Sequence, residues 1–176
     1  ALLSHHAFMR LRLVHAAFVD SYECHIPKGR MPVNRLLFVC GGDRRAKSVI
    51  RDSSDGRPFP MKAGRLYFIP CNHEVDIDIS ASLSFVSLQF NLDLFHGVDV
   101  MEAHPRCETL EDRPLVDEMR LLMEREAELR TVYRINETVF RLCALWSSHG
   151  GAEIAERLAR IRQYEMGLDF IRDRKN

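Results

Sequence analysis

The sequence predicts an α+β fold, with short strands in its first part and helices in its second. Up to Asp99 the chain consists of apolar or alternating runs separated by turn residues, whereas after Arg113 it becomes charged, leucine-rich and helically periodic. The clearest segment is residues 62–73, where a glycine turn, a continuous apolar run and a proline follow one another. Short strands closed by turns in this way are typical of a small barrel.

Individual strands are predicted from their pattern and their boundaries. The apolar run that begins at Leu66 lies between a glycine turn and Pro70, which predicts a strand covered on both faces. Pro70 ends that strand, because proline has no N–H to donate to a neighbouring strand. Upstream, Asp55-Gly56 predicts a hairpin turn. Downstream, residues 74–79 alternate between polar and apolar side chains, and this pattern predicts a half-exposed strand.

Helices are predicted after residue 113. Pro114 suits the first turn of the first helix, because the N–H that it lacks would have no partner there. Its apolar stripe consists of Leu115, Met119, Leu122 and Leu129. A second helix is predicted from about residue 131 to 147 and is ended by Gly150-Gly151, after which a third helix begins.

The composition indicates a globular domain and narrows the possible functions. The 176 residues are 46% hydrophobic and 28% charged. Lys+Arg and Asp+Glu number 25 each, so the chain has no general attraction to nucleic acid. Its apolar runs are far shorter than the roughly 20 residues of a membrane span, and its N-terminus lacks the pattern of a signal peptide. We therefore expect a cytoplasmic protein that does not contact a membrane.

The cysteines predict buried, reduced thiols. There are five of them, scattered and without a C-x-x-C pair. An odd number at irregular spacing argues against both a disulfide scaffold and a zinc knuckle.

Three segments, residues 35–42, 62–73 and 87–91, together resemble the ligand-binding half of AraC-type transcription regulators. The resemblance implies a cupin-like antiparallel β-barrel (double-stranded β-helix) followed by C-terminal helices. It places the ligand-binding barrel in residues 1–100 and a helical dimerisation segment in residues 101–176. In the family, such helices lead into a helix-turn-helix domain. That domain is missing from these residues, so we expect contact with DNA only through it.

The resemblance also implies a homodimer through the C-terminal helices. Residues 135–142 resemble the dimer helix of the family, and the implied interface consists of Ile135, Val139, Leu142 and Trp146. The alternative is that this apolar stripe packs within one protomer. The segment 1–12 is similar to the family's arm, which folds over the pocket, and its alternative is an edge strand or a frayed terminus.

Four polar residues are candidates for contact with an unknown small-molecule effector, namely His25, Arg35, His73 and Gln89. Arg35 opens a predicted strand and His25 lies in the polar loop before it, so either could reach a carboxylate or hydroxyl group. His73 comes after the proline turn, where the family pattern has a polar group. Gln89 faces away from its two apolar neighbours, so it points into the pocket if they pack against the helices. For each residue, a solvated or structural role is the alternative.

Patterns for catalysis are missing from the sequence. Cupin enzymes hold a metal with two histidines one residue apart, and this spacing does not occur here. His15, His25 and His73 form a scattered set that could still converge in a barrel. There is no G-x-S-x-G elbow and no G-K-[ST] phosphate loop. We therefore expect no catalytic residues, no metal site and no cofactor.

The predicted function is that of the effector-sensing and dimerisation domain of an AraC-type regulator, not that of an enzyme. A small molecule in the barrel would shift the placement of a downstream helix-turn-helix domain. Two alternatives remain open, which are a metal-dependent cupin enzyme and a stand-alone dimeric binding protein.

Overall fold

The chain forms two antiparallel sheets followed by two helices in a computed structural model, which describes residues 9–42, 47–94, 98–124, 128–147, 156, 159 and 160. The strands are β1 (Arg10–Val19), β2 (Cys24–Gly29), β3 (Asn34–Gly41), β4 (Val49–Asp52), β5 (Pro58–Pro60), β6 (Arg65–Ile69), β7 (Val75–Ile79), β8 (Ser84–Leu94), β9 (Val98–Asp99) and β10 (Glu108–Glu111). The helices are α1 (Arg113–Glu124) and α2 (Leu129–Trp146), and a 3₁₀ turn spans Val100–Ala103. The predicted α+β class, with antiparallel strands followed by helices, is confirmed.

The first sheet is covered on both faces. Its strand order is β1-β8-β3-β6-β10, with β9 paired to β8, and the second sheet has the order β2-β7-β4-β5. Along the central strand β3, Leu36 and Phe38 pack towards the helices, whereas Leu37 and Val39 pack towards the second sheet. This alternation explains why residues 36–40 of β3 and 66–69 of β6 are continuously apolar, since a strand inside such a layer has no solvent face.

The core on the helix side is entirely apolar at its centre. Phe68 of β6 stacks on Trp146 of α2, with ring centroids 4.9 Å apart and planes at 17°. The other buried side chains that the helices contribute are Leu115, Val116, Met119, Ile135, Val139, Leu142 and Cys143. Each large apolar side chain buried in this way stabilises the fold by about 2 kcal/mol.

The core between the sheets is formed by alternating inward-facing residues. Val75, Ile77 and Ile79 of β7 are buried, and the acidic residues between them are only partly buried. The half-exposed strand predicted from residues 74–79 is therefore confirmed. The rest of this core consists of Leu37, Val39, Ile50, Phe59, Met61, Tyr67, Ile69, Leu83, Phe85 and Cys107.

Two predicted turns occur where the sequence indicates them. β4 and β5 form the hairpin that Asp55-Gly56 predicts, and Gly56 donates its N–H to the carbonyl of Asp52 at 2.8 Å. Gly64 has φ +82°, and its N–H bonds to the carbonyl of Val39 at 2.8 Å. An L side chain at this φ would be strained, and a Cβ would lie 3.0 Å from Arg113.

Three features differ from the sequence analysis or extend it. β10 pairs with β6, so the first sheet continues past residue 100. Leu129 begins α2 and is 66% exposed, because α1 ends at Glu124 and its stripe stops there. Residues 10–12 form the start of the edge strand β1. Residues 1–8 lie outside the described residues, and so does the predicted third helix apart from residues 156, 159 and 160. Among the described helices, none has the length and apolarity to cross a bilayer.

Candidate functional site

A polar row crosses three strands on the face of the first sheet that looks at the second sheet. Arg35 of β3 is paired in register with Ile69 of β6 on one side and with Gln89 of β8 on the other. Gln89 is in turn paired with His15 of edge strand β1. Leu37, two residues after Arg35, belongs to the core between the sheets, so Arg35 lies on that same face.

A β-bulge places His15 in this row. The register of β1 against β8 shifts between Leu13, which pairs with Phe90, and His15, which pairs with Gln89. Val14 is the extra residue, and it is 49% exposed. Without the bulge, Val14 would lie opposite Gln89. No local pattern in the sequence signals this extra residue.

Arg35 carries a buried charge without a hydrogen-bonded or ion-paired partner among the described residues. The residue is 6% exposed, and no acceptor in the described segments lies within reach of its Nε–H. In the described part of the chain, no carboxylate forms an ion pair with its guanidinium. Burial lowers the pKa of Arg35, and the nearby thiols of Cys107 and Cys24 act in the opposite direction. Because burial raises the pKa of both thiols, they are uncharged at neutral pH.

The second buried charge between the sheets, Asp52 at the end of β4, is fully paired. One carboxylate oxygen accepts hydrogen bonds from Nε2 of His73 at 2.7 Å and from the N–H and hydroxyl of Ser54 at 2.8 and 2.6 Å. The other oxygen accepts from the N–H of Cys107 at 2.6 Å. Burial alone would raise the pKa of Asp52, but the hydrogen bonds from Cys107, Ser54 and His73 together lower it below its ordinary value.

The ligating atoms of Asp52, His73 and Cys107 lie within 4.8 Å of one another, so these residues could hold a metal ion. The hydrogen bonds argue for another role, since both oxygens of Asp52 already accept donors. The cluster therefore connects β4 to the loop after β6 and the loop before β10.

His25 lies on the outer face of the second sheet and not between the sheets. It is paired in register with Asp78, and its Nδ1 hydrogen-bonds to Asp78. Arg51 binds the other oxygen of Asp78 at 2.6 Å. His25 therefore does not converge with His15 and His73. The structure brings Arg35 and Gln89 together but places the two predicted histidines elsewhere.

The four residues of the predicted dimer interface pack inside the protomer. Their exposures are 3% for Ile135, 0% for Val139, 2% for Leu142 and 8% for Trp146, all in the core beneath the first sheet. These low exposures correspond to the alternative given in the sequence analysis, in which the apolar stripe of this helix packs within one protomer. The apolar residues that α2 exposes are Leu129, Val132, Tyr133, Phe140 and Leu145, of which Leu129, Tyr133 and Phe140 lie opposite the buried face.

A recess of about 390 Å³ lies at one end of the first sheet. Asn91 lines it and accepts a hydrogen bond from Arg12 at 2.8 Å. Since Asn91 comes two positions after Gln89 on β8, the two side chains share a face, and the recess adjoins the polar row. The remaining lining residues are Arg10, Pro32, Cys71, Asn72, Asp93, Asp99 and Glu102.

Comparison with known proteins gives only a distant likeness. No protein-family sequence profile matches this chain. No characterised protein matches it in sequence. Among solved structures, ToxT from Vibrio cholerae is similar at a TM-score of 0.47 and 7% identity, over 78% of this chain and 58% of that chain. Wild-type ToxT from V. cholerae strain SCE256, with unsaturated fatty acid bound, is similar at a TM-score of 0.44 and 7% identity, over 78% of this chain and 56% of that chain. This chain thus spans less than two thirds of either ToxT chain, and its fold is defined by its own strand order.

Proposed function

We propose that this chain is the effector-sensing and dimerisation module of an AraC-type transcription regulator, which acts in the cytoplasm through a C-terminal helix-turn-helix domain. The observation that carries the proposal is the polar row of Arg35, Gln89 and His15, which lies beside the apolar core on the face of the first sheet towards the second sheet. A largely apolar site with a few convergent polar groups is the usual form of a small-molecule pocket.

The strands of the row connect the site to the helices. β1 carries His15 on the inner face and Phe18 on the face towards α1, where the guanidinium of Arg120 lies 5.7 Å from the Phe18 ring centroid. α1 also packs against β3 and β8. A ligand that binds one arrangement of these strands about tenfold more tightly than another shifts their equilibrium by about 1.4 kcal/mol.

Binding can be tested by the thermal unfolding of the purified protein with a panel of neutral sugars, amino acids and organic acids. A ligand at about 100 times its Kd adds about 2.7 kcal/mol of stability, so Tm should rise by several degrees. We expect Gln89→Leu to abolish that rise and Arg51→Met, on the outer face, to retain it. If no compound raises Tm, or if Gln89→Leu and Arg35→Met both keep the rise, effector sensing between the sheets is wrong.

Dimerisation is proposed through the outer face of α2, because its inner face is occupied by the core. Phe140 is 37% exposed and Leu142 is 2% exposed, although only two positions separate them. Phe140→Glu should therefore yield a folded monomer by light scattering, whereas Leu142→Glu should destabilise the protomer itself. A dimer that persists in Phe140→Glu would exclude this face as the interface.

The proposal assigns no covalent chemistry to the chain, in contrast to a metal-dependent cupin enzyme. Burial raises the pKa of the Cys107 thiol, so the thiol is a poor nucleophile, and His73 is already bound to Asp52. Chelation with EDTA should leave Tm unchanged and release no stoichiometric zinc or iron. Release of one metal per chain together with a lower Tm would favour the enzyme.

The remaining alternative is a stand-alone dimeric binding protein. It differs from the proposed regulator in what the coding sequence specifies beyond residue 176. We expect that sequence to specify a domain with helix-turn-helix patterns. An in-frame stop codon directly after codon 176 would overturn the regulatory part of the proposal and leave the binding part intact.

A further inference from the structure

The polar row carries its positive charge at its buried end. Arg35 is more than nine-tenths buried, at 6% exposure, and its Nε–H has no partner within the described ranges of the chain. Its neighbours across the sheet, Ile69 and Gln89, bring no negative charge. Buried charges in proteins are normally paired with an opposite charge. The described part of the chain therefore leaves one positive charge in the sandwich without a counter-ion.

We propose that this position binds a small organic carboxylate whose acid group pairs with the guanidinium of Arg35. This inference rests on the proposed function, because it names the chemical class of the effector. A guanidinium presents parallel N–H donors that match the two oxygens of a carboxylate. The buried Nε–H, which has no acceptor in the described part of the chain, supplies one donor of such a pair.

The ligand is a monoanion because the site offers one positive charge in apolar surroundings. Ile69 lies beside Arg35, and Leu37 is the next residue along β3 on the same face. A phosphate dianion would leave its second charge unpaired in this low-dielectric space, which costs more than its contact with one arginine returns. A monocarboxylate leaves no excess charge.

The position of the Gln89 amide indicates that the ligand carries a second polar group. Its side chain lies one strand spacing, about 5 Å, from Arg35, and an amide both donates and accepts hydrogen bonds. A hydroxyl next to the acid would fall within its reach. His15, at the exposed edge of the row, lies on the side from which solvent reaches the site.

The test is a titration of the purified protein with acetate and with acetamide, its neutral counterpart of nearly the same shape. The readout is the ¹H–¹⁵N resonance of the Arg35 Nε–H, which is assigned by its loss in Arg35→Met. We expect acetate to move this resonance saturably and acetamide to leave it in place. Measured by calorimetry, affinity for acetate should fall at least about tenfold in Arg35→Met. In Arg51→Met, a matched arginine on the outer face, it should not change.

Glycolate tests the second polar group. It adds one hydroxyl to acetate and should bind about threefold or more tightly, a gain that Gln89→Leu should remove. Equal binding of acetate and acetamide, a resonance that acetate does not saturate, or tighter binding of inorganic phosphate would overturn the assignment of a carboxylate. If a neutral compound binds instead and Gln89→Leu abolishes its binding, effector sensing stands and only the chemical class is wrong. If no compound of any class binds, both proposals fail.

Discussion

Asp52 and Arg35 are both buried between the sheets, and they have opposite surroundings. Asp52 is 1% exposed and accepts hydrogen bonds from Ser54, His73 and Cys107. Arg35 is 6% exposed, and none of the residues that the structure describes accepts a hydrogen bond from its Nε–H. A buried charge that forms several hydrogen bonds is stabilised by them, whereas a buried charge without partners lowers the stability of the folded protein. We infer that Asp52 serves the structure and that Arg35 serves a ligand.

The largest effect is expected from removing the charge of Asp52. Asp52→Asn replaces an acceptor oxygen by an NH₂ group that faces donors, so the free energy of unfolding should fall by about 3 kcal/mol. Urea unfolding followed by Trp146 fluorescence measures this change. Asp117→Asn, in an exposed ion pair on α1, is the control and should cost less than about 0.5 kcal/mol. If the two variants are equally stable, the Asp52 cluster does not hold the loops.

Acidification should remove the same contribution without a mutation. The pKa of Asp52 is lowered in the folded protein, since the hydrogen bonds outweigh the opposing effect of burial. Its contribution to stability is therefore fully present above its unfolded pKa and is lost as pH falls below about 4. Urea midpoints measured from pH 6 to pH 3 should fall more steeply for the natural protein than for Asp52→Asn. Parallel curves would contradict a lowered pKa at Asp52.

Substitution of Arg35 is expected to change the free energy of unfolding in the opposite direction. Arg35→Met keeps most of the side-chain length and removes an unpaired buried charge, so the ligand-free protein should become more stable by about 2 kcal/mol. The urea midpoint should rise accordingly. A loss of stability in Arg35→Met, alongside the loss in Asp52→Asn, would remove the contrast between the two charges and make Arg35 a structural residue.

The smallest effects are expected from a matched pair of histidines. His73 and its partner Asp52 have side-chain exposures of 14% and 1%, whereas His25 and its partner Asp78 have exposures of 70% and 32%. His73→Ala should cost about 1 kcal/mol, because it leaves a buried acceptor with one donor fewer. His25→Ala should change stability by less than about 0.5 kcal/mol. Chemical unfolding of both variants at pH 7 tests this difference, and a larger loss in His25→Ala would reverse the assignment of inner and outer pairs.

Much of the fold could be predicted because its signals are local. The run from Leu66 and the alternation in residues 74–79 each specify a strand and the number of its buried faces, and both are confirmed. The hairpin at Asp55-Gly56 is likewise local. β10 carries no such signal, because Glu108–Glu111 has two acidic residues and becomes a strand through its pairing with β6.

The candidate site could be predicted only in part. Arg35 and Gln89 were candidates, and they lie side by side because the packing of Leu88 and Phe90 against the helices turns Gln89 inward. His25 was a candidate as well, but it shares the outer face with Asp78. A shift of one residue in the register of a strand exchanges its two faces. The sequence around β2 therefore could not show whether His25 faces inward or outward.

Local patterns in the sequence specify the fold class, the positions of the most apolar strands and the helix that covers the first sheet. These depend on periodicity and turn residues within about ten positions. Long-range packing, in contrast, sets which polar side chains face inward, and it gives Asp52 its hydrogen-bond donors while the Nε–H of Arg35 has no acceptor among the described residues. Partners such as Cys107 and Asp52 are distant in the chain, and the register that brings them together is set by the packing of whole sheets.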